Sequence, residues 1–389
     1  MIGRYPPMSG CTCGLSRRGM IRGTLGLGAA VALGSNGGAQ APPHPDRLVI
    51  DCHAHYTSEP AAMLDWRKQQ IAALNDPAHS PSPASLKVSD DELRASVATR
   101  QIKVQAERGI SLALLSPRAG GMGHHIGNAR TSQDWSTVSN DMIYRLTTLM
   151  PRNFVGVCQL PQSSGVSPKN CTTELERCVK DLGFVGCNVN PDPTGGFWTD
   201  PPLYDRHWYP LWEKMVELDV PGMIHVSASA NSNFHATGAH YMNGDTTAFM
   251  QFVTSDLFQD FPTLRLIIPH GGGAVPYHWG RYRGLAQDMG RPPLSALMRN
   301  VFFDTCVYHQ PGIDLLLKVV PIDNVLFASE MLGAVNGIDP ATSYGYDDTR
   351  RYIEAAQISE ADRSKLYSGN VLRVFPRLGL RLRALGINA

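Results

Sequence analysis

Short apolar runs alternate with amphipathic stretches along most of this chain. The runs Leu48–Cys52, Leu112–Ser116, Phe154–Cys158, Phe184–Val189, Gly222–Val226, Leu264–Ile268, Val301–Asp304 and Val325–Ala328 carry β-branched residues and read as strands. Between them, Asp91–Arg108, Ser139–Leu149, Cys171–Leu182, Leu211–Leu218, Thr246–Phe258 and Ile313–Val319 show helical patterning. Strands that alternate with helices pair in parallel through right-handed crossovers. Eight such units predict an α/β fold, a (β/α)8 TIM barrel with an insertion after strand 1, over residues 48–389. An open doubly wound sheet is the other reading. It lacks a glycine-rich dinucleotide fingerprint after the first strand.

Composition narrows the function classes. The chain has 389 residues, 43% hydrophobic and 18% charged, with 37 Gly and 28 Pro spread along it, which excludes a coiled coil, a collagen-like chain and a disordered charged tail. Lys+Arg total 35 against 34 Asp+Glu, so no basic excess points to nucleic acid or to an anionic membrane surface. The eight cysteines, Cys11, Cys13, Cys52, Cys158, Cys171, Cys178, Cys187 and Cys306, form no C-x-x-C pair and predict no disulfide framework.

The first 41 residues read as an address rather than as part of the fold. Ser16-Arg17-Arg18 and Arg22 precede the apolar, glycine-rich run Thr24–Gly34, and Ala39-Gln40-Ala41 follows as a small-x-small cleavage pattern. Paired arginines make this a signal of twin-arginine type, recognised by that export machinery. The run is about 11 residues, short of the ~20 that span a bilayer, so no stable membrane insertion is expected. The expectation is cleavage after Ala41, a stiff linker over 42–47 (Pro42, Pro43, Pro45) and a periplasmic or secreted product. The alternative is an upstream start codon in front of a cytoplasmic protein.

Polar residues that end apolar runs carry the candidate chemistry. The first run closes Asp51-Cys52-His53-Ala54-His55. Side chains alternate along a strand, so His53 and His55 share a face at the carboxyl end, where barrel enzymes work. His225 closes the fifth run, His270 follows the sixth and Glu330 the eighth. Any one of these reads equally as a structural strand-end residue. Together they suit Zn²⁺, which takes imidazole nitrogen and carboxylate oxygen and keeps a position open for water.

The pattern D-x-H-x-H, a later strand-end His, P-H-G-G-G and an acidic residue at strand eight resembles the amidohydrolase superfamily. Within it the chain is similar to the amidohydrolase-related, aminocarboxymuconate semialdehyde decarboxylase-like branch, and most like its 4-oxalomesaconate hydratases. The segments that carry this are IDCHAHY (50–56), SDDEL (89–93), SPRA (116–119), NPDP (190–193), FHATGAHY (234–241), PHGGGAVPYHWGRYRG (269–284), FDTCVYHQPGI (303–313) and FASEMLGA (327–334). Most of the branch has Asp after the serine of the last segment, and this chain has Glu330.

The resemblance implies one Zn²⁺ per subunit on His53, His55, His225 and Glu330, with Mn²⁺ as the alternative ion. It implies a hydro-lyase that adds water to a C=C conjugated to an oxo group in aromatic-compound breakdown. Glu330 would then also take the proton of the water. Glu92 is the candidate acid, although Ser89-Asp90-Asp91-Glu92 equally spells a helix capping box. His270 and Tyr241 would act on the oxo oxygen, with the glycines after His270 letting backbone approach a ligand. Arg118, Arg281 and Arg283 would clamp carboxylates of a small-molecule substrate, although loop arginines are commonly just solvated. A homodimer is the family habit. The competing readings are a decarboxylase or a hydrolase on the same barrel, and an exported metal-binding protein without turnover.

Overall fold

A computed structural model describes residues 47–387. The export segment and all of the linker except Arg47 lie outside the described residues. Nine short strands appear: β1 (Ile50–Tyr56), β2 (Leu112–Pro117), β3 (Phe154–Gly156), β4 (Cys158–Gln159), β5 (Cys187–Val189), β6 (Gly222–Ile224), β7 (Leu266–Ile268), β8 (Val301–Asp304) and β9 (Val325–Leu326). All paired neighbours run parallel. β3 and β4 are two pieces of one stave, joined at Val157, whose N–H donates to Leu115 O at 2.9 Å. The last stave returns to the first through Cys52 N to Phe327 O at 3.0 Å and Glu330 N to His53 O at 2.9 Å. The protein is therefore a closed (β/α)8 barrel, and each of the eight apolar runs supplies one stave.

The insertion after strand 1 is present between β1 and β2. It holds the helix Ala61–Ala72, single turns at Pro77–His79 and Pro83–Ser85, and a helical run from Asp90 to Glu107 interrupted by a π-turn at Ala98–Ile102. Among the described residues no helix is long and apolar enough to cross a membrane. The six described cysteines are buried free thiols.

Two apolar layers hold the barrel. The outer layer packs helices against staves through Trp135, Leu175, Trp212, Phe249 and Phe303. The inner layer fills the barrel with Ile50, Cys52, Leu112, Leu114, Val155, Ile267, Phe302 and Leu326. Val374, Phe375, Leu378 and Leu382 of the C-terminal helices Asn370–Val374 and Pro376–Ala384 join that layer. They sit against the amino ends of the staves, where Arg377 Nε donates to Leu218 O at 2.6 Å. The opposite, carboxyl end is left for the site.

One irregularity in β1 aims the site. Ile50 and Asp51 pair with Leu112 and Ala113, but Ala54 pairs with Leu115, so β1 gains a residue over β2. Uninterrupted alternation from Ile50 would send Cys52 and Ala54 inward and the histidines outward. The slip reverses the parity after Cys52, so Ile50, Cys52, His53 and His55 all face the interior.

Candidate metal centre

His53 and His55 leave β1, His225 follows β6, and Glu330 follows β9. All four are buried, and one ligand atom from each lies within 4.8 Å of every other. His53 Nε2 is 3.1 Å from His55 Nε2, which is 3.2 Å from His225 Nε2. The outer ring nitrogens are each committed. His53 Nδ1 contacts Asp304 Oδ2, His55 Nδ1 contacts Ser116 Oγ, and His225 Nδ1 contacts Val226 O, all at 2.8 Å. A carboxylate and a carbonyl only accept, so His53 and His225 carry their protons on Nδ1. Ser116 Oγ also lies within reach of two carbonyls, and donating to one leaves it to accept from His55.

Three nitrogen lone pairs then point at one another, an arrangement that repels unless a cation sits among them. Zn–N bonds of ~2.0–2.1 Å at a tetrahedral angle put nitrogens roughly 3.4 Å apart, close to the spacing here. The donor set, its geometry and the fixed tautomers thus fit a divalent ion. Burial and the neighbouring imidazoles hold His55 and His225 far below the usual histidine range, so both are neutral, ligand-ready rings. Burial works to raise the Asp304 carboxyl, but the His53 hydrogen bond, the His270 charge and the Gly271 N–H outweigh it and hold it below its ordinary value.

His270 stands beside the group without being one of the four. Its Nδ1 contacts Asp245 Oδ2 at 2.8 Å, and its Nε2 has no hydrogen-bond partner among the described residues and lies 3.7 Å from Glu330 Oε2. Burial opposes charge on the ring, and the Asp245 carboxylate overrides it, pushing His270 up. His270, Tyr308 and Glu330 have left-handed backbones, with φ of 53°, 65° and 47°. Such residues cost ~1–3 kcal/mol each and persist where surroundings over-determine them. The glycines after His270 pack closely, and Gly271 and Gly273 also line a cavity beside His270. A Cβ at Gly271 or Gly272 would lie 2.4 Å from Val307 or Phe303.

Two other expected residues reach the mouth. Tyr241 is buried with its ring 5.0 Å from that of His225 and 5.4 Å from that of His270. Arg118 is exposed at the end of β2, makes no ion pair among the described residues, and its charge acts on His55, Tyr241 and Glu59.

Three expected residues are not brought there. Glu92 is exposed, and its Oε2 accepts from Ser89 N and Ser89 Oγ, both at 2.7 Å, while Ser89 caps the Glu92 N–H. These are the contacts of the capping alternative. Arg281 and Arg283 are exposed on the helix Trp279–Asp288, where Arg283 lines a surface groove with Gln287 and Arg291. Neither forms an ion pair with the four converging residues or with any other described residue.

Sequence reasoning missed the supporting shell. Asp245, Asp304, Ser116 and Tyr308 bear on the site only through partners 22 to 251 positions away; Ser116, Asp304 and Tyr308 lie in the family-like segments, but nothing local to them assigns them a role. Glu59 was missed too. It follows β1, half-buried, and its desolvation, partly offset by Arg118, pushes its carboxyl up to about 7.

The amidohydrolase family model matches residues 50–377. The chain is 54% identical over 341 residues to a 2-keto-4-carboxy-3-hexenedioate hydratase from Sphingobium sp., covering 87% of this chain and 99% of that protein. It superposes with a TM-score of 0.81 on a crystal structure of 4-oxalomesaconate hydratase from Rhodopseudomonas palustris, at 56% identity, 87% of this chain and 99% of the other. A gamma-resorcylate decarboxylase from Polaromonas sp. is 28% identical, over 71% of this chain and 86% of its own. The chain belongs to the amidohydrolase family, as an enzyme of the branch that holds these hydratases and decarboxylases.

Proposed function

We propose that this protein is a metal-dependent hydratase that adds water across the C=C of an unsaturated oxo-polycarboxylate such as 4-oxalomesaconate, in the breakdown of aromatic compounds. The observation that carries this is the 54% identity to the Sphingobium hydratase over 99% of its length. The site chemistry agrees with it.

The four converging residues would hold the ion, with Zn²⁺ as the choice that the three imidazoles and one carboxylate favour. A divalent ion in such a group supplies Lewis acidity, which lowers the pKa of water toward ~7. Glu330 is placed to accept the proton that water gives up. Addition at the carbon β to the oxo group pushes electrons onto the oxo oxygen. Tyr241, and the Nε2–H that Asp245 maintains on His270, are positioned to stabilise that charge. The enolate then takes a proton at its α-carbon, and His270 is the donor this arrangement offers in place of Glu92. Arg118, a cation at the mouth without an ion pair among the described residues, would receive a substrate carboxylate.

The test is a panel of conjugated oxo-acids offered to metal-loaded protein in heavy water. Absorbance of the conjugated acid should fall, and proton NMR should show the vinylic signal replaced by a CHD signal next to the oxo group. Release of CO₂ with the oxo group still conjugated would replace this reading by decarboxylation. Metal analysis separates Zn²⁺ from Mn²⁺. Export by the twin-arginine route and a homodimer belong to the same reading, checked by cell fractionation and light scattering.

A further inference from the structure

Glu330 has two oxygens with different surroundings. Oε1 lies 3.9 Å from His55 Nε2, on the side of the histidine group. Oε2 accepts a hydrogen bond from the Tyr308 hydroxyl at 2.9 Å and lies 3.7 Å from His270 Nε2. The three residues that meet at Oε2, namely His270, Tyr308 and Glu330, are among seven described non-glycine residues with positive φ. Strain gathered on one atom points to a constraint there.

The backbone at Glu330 is already fixed. Its N–H donates to His53 O and its carbonyl accepts from Gly333 N, both at 2.9 Å. A Cβ at residue 333 would lie 2.7 Å from that carbonyl oxygen, so the following turn closes tightly on it. Rotation of the carboxylate about its last bond remains, and the Tyr308 phenol opposes it. Tyr308 is itself anchored, because Tyr352 Oη donates to Tyr308 O at 3.0 Å.

We propose that Tyr308 is a positioning residue that locks the rotation of Glu330, reserving Oε1 for the ion and Oε2 for proton exchange with water and His270. This rests on the reading of His53, His55, His225 and Glu330 as ligands. A freely turning carboxylate would offer both oxygens to the ion or swing onto His270, and either leaves no oxygen free as a base.

The test uses the full chain and Tyr308→Phe, read by chelator competition for Zn²⁺ and by the visible spectrum of Co²⁺-loaded protein. Affinity should drop by ~10–100-fold and the Co²⁺ bands should shift, while Tm of the metal-free protein holds. In a Glu330→Gln background the same substitution should change affinity by about twofold or less, because Tyr308 acts through that carboxylate. Wild-type affinity with an unshifted spectrum overturns the proposal. An equal loss in both backgrounds, or a collapse of the metal-free Tm, assigns the phenol to the fold and overturns it as well. Wild-type protein that takes up no divalent ion sinks the ligand reading itself, and that failure shows before any variant is made.

Discussion

Asp304→Asn isolates how the barrel prepares its imidazoles. Asp304 is fully buried, and its two oxygens do different things. Oδ1 accepts from Gly271 N and Cys306 N, both at 3.0 Å, while Oδ2 faces His53 Nδ1 at 2.8 Å. Asparagine keeps an oxygen for the two backbone amides and turns an NH₂ toward His53. Flipping the amide would strand both backbone donors, so His53 must instead accept at Nδ1 and carry its proton on Nε2. That nitrogen is the one 3.1 Å from His55 Nε2, and the proton fills the lone pair meant for the ion. Loss of a partner of this kind typically costs ~10–100-fold in metal affinity, which is about 1.4–2.7 kcal/mol. Metal-free stability should move by only about 1 kcal/mol, because a hydrogen bond to His53 persists and a buried charge is removed. Chelator competition gives the affinity, and denaturation of chelated protein gives the stability. Wild-type affinity in the variant refutes the tautomer argument. So does a loss of affinity matched by an equal loss of metal-free stability.

Three further outcomes separate roles. Asp245→Asn should lower kcat by ~10²-fold or more at unchanged metal content, since it frees His270 without touching the four converging residues; unchanged kcat removes His270 as the acid. Glu92→Ala should lower Tm and leave kcat and metal content alone, whereas a kcat loss at constant Tm would return Glu92 to the chemistry. Glu59 is pushed up to about 7 in the fold from an ordinary 4.5, so its contribution to stability is fully present below about pH 4.5 and is lost as pH rises through 7. Glu59→Gln should therefore be more stable than wild type at pH 8, by on the order of 2–3 kcal/mol, and equal to it near pH 4, as read by urea titration; a parallel pH dependence in both proteins would reject this.

The staves were legible because each is a short run whose apolar, β-branched content survives without knowledge of its neighbours. The converging residues were legible for a related reason. In a barrel, chemistry sits where staves end, so a His or Glu that terminates an apolar run marks the site from local sequence alone. Glu92 shows the limit. Its sequence context fits a capping box and a family segment equally, and its exposed position and its two bonds from Ser89 are what the fold adds in favour of the cap. Arg281 and Arg283 follow the His270 segment closely in sequence, but the intervening turn carries them onto an outer helix.

The chain by itself determined the alternation of strands and helices and the polar residues at their ends, since both are properties of neighbours along the backbone. Tertiary structure decided the parity slip in β1 that turns His53 and His55 inward. It decided also which acceptor fixes each imidazole, and which carboxylates stand near the reaction. Those depend on distances between residues as many as 251 positions apart, such as His53 and Asp304, and closing the barrel is what sets such distances.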